Sequence, residues 1–370
     1  MSGLPPSAPT PTPTPPSQPY PVYAPAGGSD GRPVSFYLAI FLGMLLILSA
    51  GLNLVLLFVG VIGSAASGFG VLEEADDQYQ VVVVRGENDA RDKILRIAVD
   101  GAIAEQSSPL IGASGGTVSR VERALKLARR DDAIKGVLLA INSPGGGVTD
   151  SDLIYRAIRA FRQETNKPVV AHFGDLAASG GYYIACACEQ ILASETTITG
   201  SIGVVMSTWN YAEGAKMIGV EGIDIVSART PHKTMLSGSK PVDPEELAIV
   251  RSIVDEMYDR FIDVVAAGRP ALERARIVEL ADGRIYSAGQ ARETGLIDGV
   301  GTEDEAIELL KTRARVTTAK VVEQRRRVSL FDALTGAHAA PPAPSLEQAL
   351  GQFLTKTTGP RLLYFWQGGR

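Results

Sequence analysis

The sequence predicts an α/β fold on a parallel sheet, preceded by one membrane-crossing helix. Gly136-Val137-Leu138-Leu139-Ala140-Ile141 is a continuous apolar run, as expected of a parallel strand covered on both faces. Strand-like and helical patterns alternate on either side of it, the rhythm of right-handed crossover units. Upstream, residues 36–63 carry no charged side chain. A bilayer crossing takes about 20 residues, so this run can span with some tilt.

Composition limits what else the chain can be. Its 370 residues, 45% of them hydrophobic, can bury a sizeable core in one or two domains. A formal net charge of -5 gives no basis for a nucleic-acid partner. Cys186 and Cys188 are the two cysteines, too few for a disulfide framework or a zinc ribbon. With one residue between them in an expected helix they point to different sides and read as small buried residues. Neither a metal nor a cofactor is expected.

Residues 1–35, rich in Pro, Ser, Thr and Gly, have too little apolar surface to offset ordering entropy and read as a disordered tail. The span at 36–63 exceeds the roughly 7–15 apolar residues of a cleaved signal peptide, so it reads as a retained anchor. Arg32 precedes it, whereas Glu73, Glu74, Asp76 and Asp77 follow, with no Lys or Arg before Arg85. That asymmetry puts the N-terminus in the cytoplasm and the remainder outside. Residues 64–91 read as a linker.

Residues 94–99 form the next expected strand, and Val118, Val121, Ala124, Leu125 and Ala128 mark a helical face. The apolar strand at 136–141 feeds Asn142-Ser143-Pro144-Gly145-Gly146-Gly147, followed by a helix over 151–163. A strand at 168–173 leads to Ala178-Ser179-Gly180-Gly181-Tyr182-Tyr183, read as a loop with a short helix starting at Ser179. Asp243 as cap and Pro244 as first helical residue open a longer helix. Its apolar stripe of Leu247, Val250, Val254, Met257, Phe261 and Val264 is core packing. Ala288, Ala291, Leu296 and Ile297 mark a small packed helix and its exit turn. Beyond residue 315, Arg325-Arg326-Arg327 reads as a solvated basic patch and 339–344 as a Pro/Ala linker. The apolar segment 362–366 leaves two options open: packing on a neighbouring subunit, or imitating a substrate.

The two glycine-rich loops carry the chemistry. Each exposes backbone N–H groups at a strand-to-helix turn, and the second adds the Ser179 hydroxyl, so they suggest a nucleophile beside an oxyanion hole. A serine needs a base. His172, His232 or His338 could complete a triad with Asp150, Asp175 or Asp224, but spacing singles out none, and His172 reads as a packed strand residue. A lysine base is the other solution. It must be neutral to accept a proton, so its pKa has to fall from about 10.4 through burial or nearby positive charge. Lys233, with Met235 and Leu236 as apolar company, is a candidate that spacing alone does not separate from Lys216 or Lys240.

Four segments together resemble the signal peptide peptidase A family of bacterial serine proteases. They are Asn142-Ser143-Pro144-Gly145-Gly146, Ala178-Ser179-Gly180-Gly181-Tyr182-Tyr183-Ile184, Thr199-Gly200-Ser201-Ile202-Gly203-Val204 and His232-Lys233. Asp282-Gly283-Arg284-Ile285-Tyr286 and Gly295-Leu296-Ile297-Asp298 extend the likeness, which covers residues 92–315, with 316–370 as a C-terminal extension. The resemblance implies the Clp protease/crotonase-like superhelix of ββα units. It also implies a Ser–Lys dyad of Ser179 and Lys233, with Ser201 supporting the lysine and the N–H groups of Gly146 and Gly180 as oxyanion donors. With one such domain in the chain, it implies a homo-oligomeric ring in which serine and lysine meet across a subunit boundary. The expected substrates are apolar peptides, remnant signal peptides foremost, reached from the membrane lipid in which they partition. Two alternatives share these loops: a crotonase-type acyl-CoA enzyme, and an inactive membrane scaffold presenting a peptide groove.

Overall fold

The computed structural model describes residues 34–69, 79–86, 89–105, 116–327 and 361–365. The chain divides into two compact units, Met1–Glu74 and Ala75–Arg370. In the first, helix α1 (Val34–Phe69) contains an exposed stretch, Phe36–Leu54, long and apolar enough to cross a membrane. Asn53 in that stretch donates its side-chain N–H to the Ser49 carbonyl at 2.8 Å. This satisfies a polar group within the helix itself, as an apolar environment requires. Most of the Pro-rich tail lies outside the described residues, as do His338 and the Pro/Ala linker.

The second unit begins with β1 (Tyr79–Arg85), β2 (Lys93–Asp100), α2 (Thr117–Arg130), β3 (Ile134–Ser143) and β4 (Gly145–Gly147). α3 (Val148–Thr165), β5 (Val169–Ala178), α4 (Gly180–Ala185), β6 (Gln190–Ala193), β7 (Ile198–Gly200) and β8 (Val205–Ser207) come next. α5 (Ala212–Met217) and a 3₁₀ turn at Pro231–Thr234 precede the long α6 (Pro244–Gly268). The remainder comprises α7 (Arg274–Leu280), β9 (Ile285–Ser287), α8 (Ala288–Glu293), β10 (Gly299–Val300), α9 (Glu303–Ala314), β11 (Lys320–Arg326) and β12 (Arg361–Phe365).

The main sheet runs β1-β11-β2-β3-β5-β6-β10, with β7 paired to the far end of β5 and β9 to β7. From β11 to β10 its neighbours are parallel, whereas β1 is antiparallel to β11 and β9 to β7. β3 explains the apolar run that announced it. Val137, Leu139 and Ile141 face a core shared with α2, α3 and α6, while Leu138 joins Ile94, Val170 and the α9 residues Ala306, Ile307 and Leu310 on the other face. Both faces are covered, so polarity has no place to alternate.

The sheet extends past the expected boundaries. β1 lies in the stretch read as a linker and β11 beyond residue 315, and the two pair with each other. Their partners are more than 200 residues apart in sequence, which no local pattern reveals. Within α6 the Asp243 side chain accepts the Glu245 N–H at 2.8 Å, as the cap predicted. Its apolar stripe is divided, however: Phe261 and Val264 are buried, but Leu247 is exposed along with Ile253. α4 ends at Ala185, so Cys186 and Cys188 sit in the turns after it rather than within a helix. Both are buried and unbridged, and burial pushes each thiol up to about 12. They are therefore inert packing residues.

Candidate active site

β3 and β5 do not keep step to their ends. Ile141 pairs with Phe173 and Ser143 with Ala177, so β5 carries extra residues between these pairs. Asn142 fills the irregularity, its Oδ1 accepting the Leu176 N–H at 3.1 Å. Bulges of this kind re-aim a strand, and here β5 continues to Ala178 along a new neighbour, β7. The strand expected over 168–173 thus runs on to Ala178, and of the loop expected at Ala178–Tyr183 the part from Gly180 on is helix. A turn of one residue, Ser179, joins the strand to α4.

Ser179 has φ 54° and ψ -115°, a sparsely populated conformation for a residue with a side chain. Such strain costs about 1–3 kcal/mol and persists only where the surroundings over-determine it. They do so here. The Ser179 N–H donates to the Gly200 carbonyl at 2.8 Å, and its carbonyl accepts the Tyr183 N–H at 2.8 Å. Behind it, Tyr182 and Tyr183 are fully buried. Tyr182 donates its hydroxyl to the Leu296 carbonyl, and Tyr183 to Asp152, which also pairs with Arg260 at 2.9 Å. The strand-to-helix elbow is held on a rigid mount.

The first glycine loop is also more ordered than a loop. Gly145 and Gly147 exchange hydrogen bonds with Ile103, whose N–H donates to the Gly145 carbonyl and whose carbonyl accepts the Gly147 N–H, both at 2.9 Å. Alternation along a strand therefore turns the N–H of Gly146 to the opposite edge. That edge meets the elbow: a Cβ on Gly180 would lie 3.1 Å from the Gly146 nitrogen and 2.5 Å from the buried Ser151 hydroxyl. A Cβ on Gly146 would come within 1.9 Å of the Ile103 carbonyl oxygen. Both positions tolerate only glycine.

On the free side of β4 lies β12. Leu363 pairs with Gly147, Tyr364 with Gly146 and Phe365 with Gly145, all antiparallel. The same strand pairs antiparallel with β8 through Arg361–Ser207, Leu362–Met206 and Leu363–Val205. An extended segment of the chain thus fills a slot between β4 and β8, with Tyr364 opposite the backbone of Gly146.

Ser201 stands next to Gly200, which accepts from the Ser179 N–H. It is 8% exposed, has φ 48°, and donates its N–H to the Arg284 carbonyl at 2.7 Å. Gly200 has φ 85° and lies against the Tyr286 ring, which a Cβ there would meet at 2.5 Å. The Asp282–Tyr286 motif therefore backs the Gly200–Ser201 turn, a role that no local pattern announced. Tyr286 is fixed in turn by donating its hydroxyl to the Leu280 carbonyl.

Ser179, Gly180, Gly146 and Ser201 thus converge. Lys233 is exposed on the 3₁₀ turn, and among the described residues no hydrogen bond links it to Ser179. The rival lysines are committed elsewhere, Lys216 to Glu213 and Lys240 to Glu246. His172 is buried on β5, with Nε2 3.1 Å from the Gly301 carbonyl oxygen, and burial holds its pKa below the usual range. His232 faces Glu245 and Glu246. Neither histidine contacts Ser179 among the described residues.

A bulged parallel strand, a strained serine at its end and glycine backbone beside it are the parts of a serine peptidase with a Clp protease-like domain. The Clp protease family matches residues 114–197, and Peptidase family S49 matches residues 161–317. The chain is 37% identical over 240 residues to a putative signal peptide peptidase SppA of Enterococcus faecium, covering 65% of this chain and 69% of that protein. It is 40% identical over 231 residues to a putative protease of Synechocystis sp., covering 62% and 78%. With protease 4 of Haemophilus influenzae it shares 32% identity over 247 residues, 66% of this chain and 39% of the relative. The chain belongs to peptidase family S49. These matches support peptide hydrolysis over acyl-CoA chemistry.

Proposed function

We propose that this chain is a membrane-anchored endopeptidase that cleaves apolar peptides, signal peptides left in the membrane foremost, with Ser179 as nucleophile and Lys233 as general base. The observation that carries this reading is the strand in the slot between β4 and β8. Addition of an extended peptide to a sheet edge is a general recognition mode, giving affinity through main-chain hydrogen bonds. A substrate lying where β12 lies would run past Gly146 and the Ser179 elbow.

In that pose Ser179 Oγ attacks the peptide carbonyl carbon while its proton passes to Lys233 Nζ. The N–H groups of Gly146 and Gly180 receive the negative charge that develops on the carbonyl oxygen. Collapse expels the amine, which takes the proton from Lys233, and leaves an acyl-enzyme on Ser179. Water, deprotonated by the same lysine, then releases the acid. Ser201, held beside Gly200, supports the lysine.

The lysine in this scheme comes from a neighbouring subunit. In one chain Lys233 stands in water, without the apolar cover that a lysine base requires. Upstream of it in sequence the chain leaves Trp209, Met217, Ile218, Ile223 and Ile225 exposed, Ile225 at 95%. Exposed apolar side chains are what an association surface would cover. A second copy covering them would carry its own Lys233 to a Ser179 it does not own, and the exposed face of α6 would be buried with it. Helix α1 would hold such a ring beside substrates that partition into lipid, raising their effective concentration.

Ending the protein after residue 360 tests the slot. Because a tethered strand competes at an effective concentration of about millimolar, removal of β12 should lower KM for a short apolar peptide substrate. An added peptide matching residues 359–370 should restore competitive inhibition. Unchanged KM in the shortened protein would detach the slot from substrate binding. Gly146→Ala, by contrast, keeps its N–H but must displace it, and kcat should fall by up to the about 10²–10³-fold that one oxyanion donor is worth. It should also lower Tm, because the new Cβ collides with the Ile103 carbonyl; wild-type kcat in this variant would remove Gly146 from the site.

A further inference from the structure

We propose that Glu246 is the positioning residue for the lysine-bearing turn, an inference that rests on the reading of Lys233 as base. Glu246 is 4% exposed, in the first turn of α6. A carboxylate is seldom buried unless it is paired. Its partners come from one stretch of chain, the stretch that holds Lys233. Lys240 Nζ lies 2.7 Å from Glu246 Oε1, and His232 Nδ1 lies 3.9 Å from the same oxygen. Lys240 also donates to Thr234 Oγ1 at 3.4 Å. Residues on both sides of Lys233 therefore converge on one carboxylate.

The post that presents this carboxylate is firm. α6 is capped by Asp243, and its far half, through Phe261, Ile262, Val264 and Val265, is embedded in the core. The turn it holds is strained: Leu236 has φ 58°, a conformation for which a branched side chain is poorly suited. Strain of that kind persists only where the surroundings fix it. Asn210 contributes from the other side, donating its side-chain N–H to the Lys240 carbonyl at 2.7 Å. Glu245, its neighbour, is 76% exposed and reaches His232 at 4.0 Å; a rim contact of that type contributes little. The buried carboxylate is the anchor and the exposed one is not.

Glu246→Gln keeps the size and one acceptor oxygen but removes the charge. Misplacing a catalytic group by about 1 Å can cost 100-fold. The variant should accordingly show kcat reduced about 10- to 100-fold with KM within twofold of wild type, and Ser179 labelling by a fluorophosphonate slowed by the same factor. Lys240→Gln should behave alike, and the double variant should be no worse than either. It also tests the clamp from its more exposed end should Glu246→Gln fail to fold. Glu245→Gln should match wild type. A purely structural carboxylate would instead lower Tm and leave kcat and the labelling rate of the folded protein unchanged. That result, beside an inactive Lys233→Ala, would overturn this proposal and spare the base assignment; wild-type activity in Lys233→Ala would overturn both.

Discussion

Ser179→Ala is expected to abolish peptide hydrolysis, with kcat falling by about 10⁵–10⁶-fold, as when the nucleophile of a serine protease is removed. Fluorophosphonate labelling should vanish with it. Ser179 lies where a bulged strand breaks into a helix, in a backbone conformation that carries a side chain only under strain. Alanine pays the same strain and keeps the hydrogen bond to Gly200, because that bond uses the backbone. The variant should therefore fold with a Tm close to wild type, which separates lost chemistry from lost structure. Residual activity above about one part in 10³ would point to another nucleophile.

Lys233→Ala should cost at least about 10²–10⁴-fold in kcat, the range for removal of a general base. Its effect on Tm should be small, since the side chain is exposed and forms no ion pair among the described residues. Small apolar substrates should bind with little change, because the slot between β4 and β8 does not include the 3₁₀ turn. A large rise in KM with kcat retained would make Lys233 a binding group instead.

Much of this site was legible in the chain because its parts are local. Gly145 to Gly147 and Ser179 to Tyr183 announce strand-to-helix turns through residue type alone, and Asp243-Pro244 announces a capped helix. The continuous apolar run at 136–141 foretold burial on two faces. Other features were hidden because they depend on distant partners. Nothing near residues 168–178 signals that β5 detours around Asn142 and continues to Ala178. β1 and β11 stabilise each other across the length of the domain. The support that Arg284 and Tyr286 give to Gly200 and Ser201 joins segments about 80 residues apart. Tyr364 opposite Gly146 joins positions more than 200 residues apart, and the sequence left the two readings of its segment equal. The anchorage of Lys233 by Glu246 was masked because the glutamate sits among other charges in a helical first turn.

In the proposed site serine and lysine come from different subunits. Mixing inactive Ser179→Ala protein with inactive Lys233→Ala protein, under conditions that let subunits exchange, distinguishes this from a site within one chain. Complementation should restore roughly a quarter of wild-type activity, since half the junctions supply the serine and half of those the lysine. A mixture as inactive as its components, with exchange demonstrated, would contradict a shared site and return both residues to one chain.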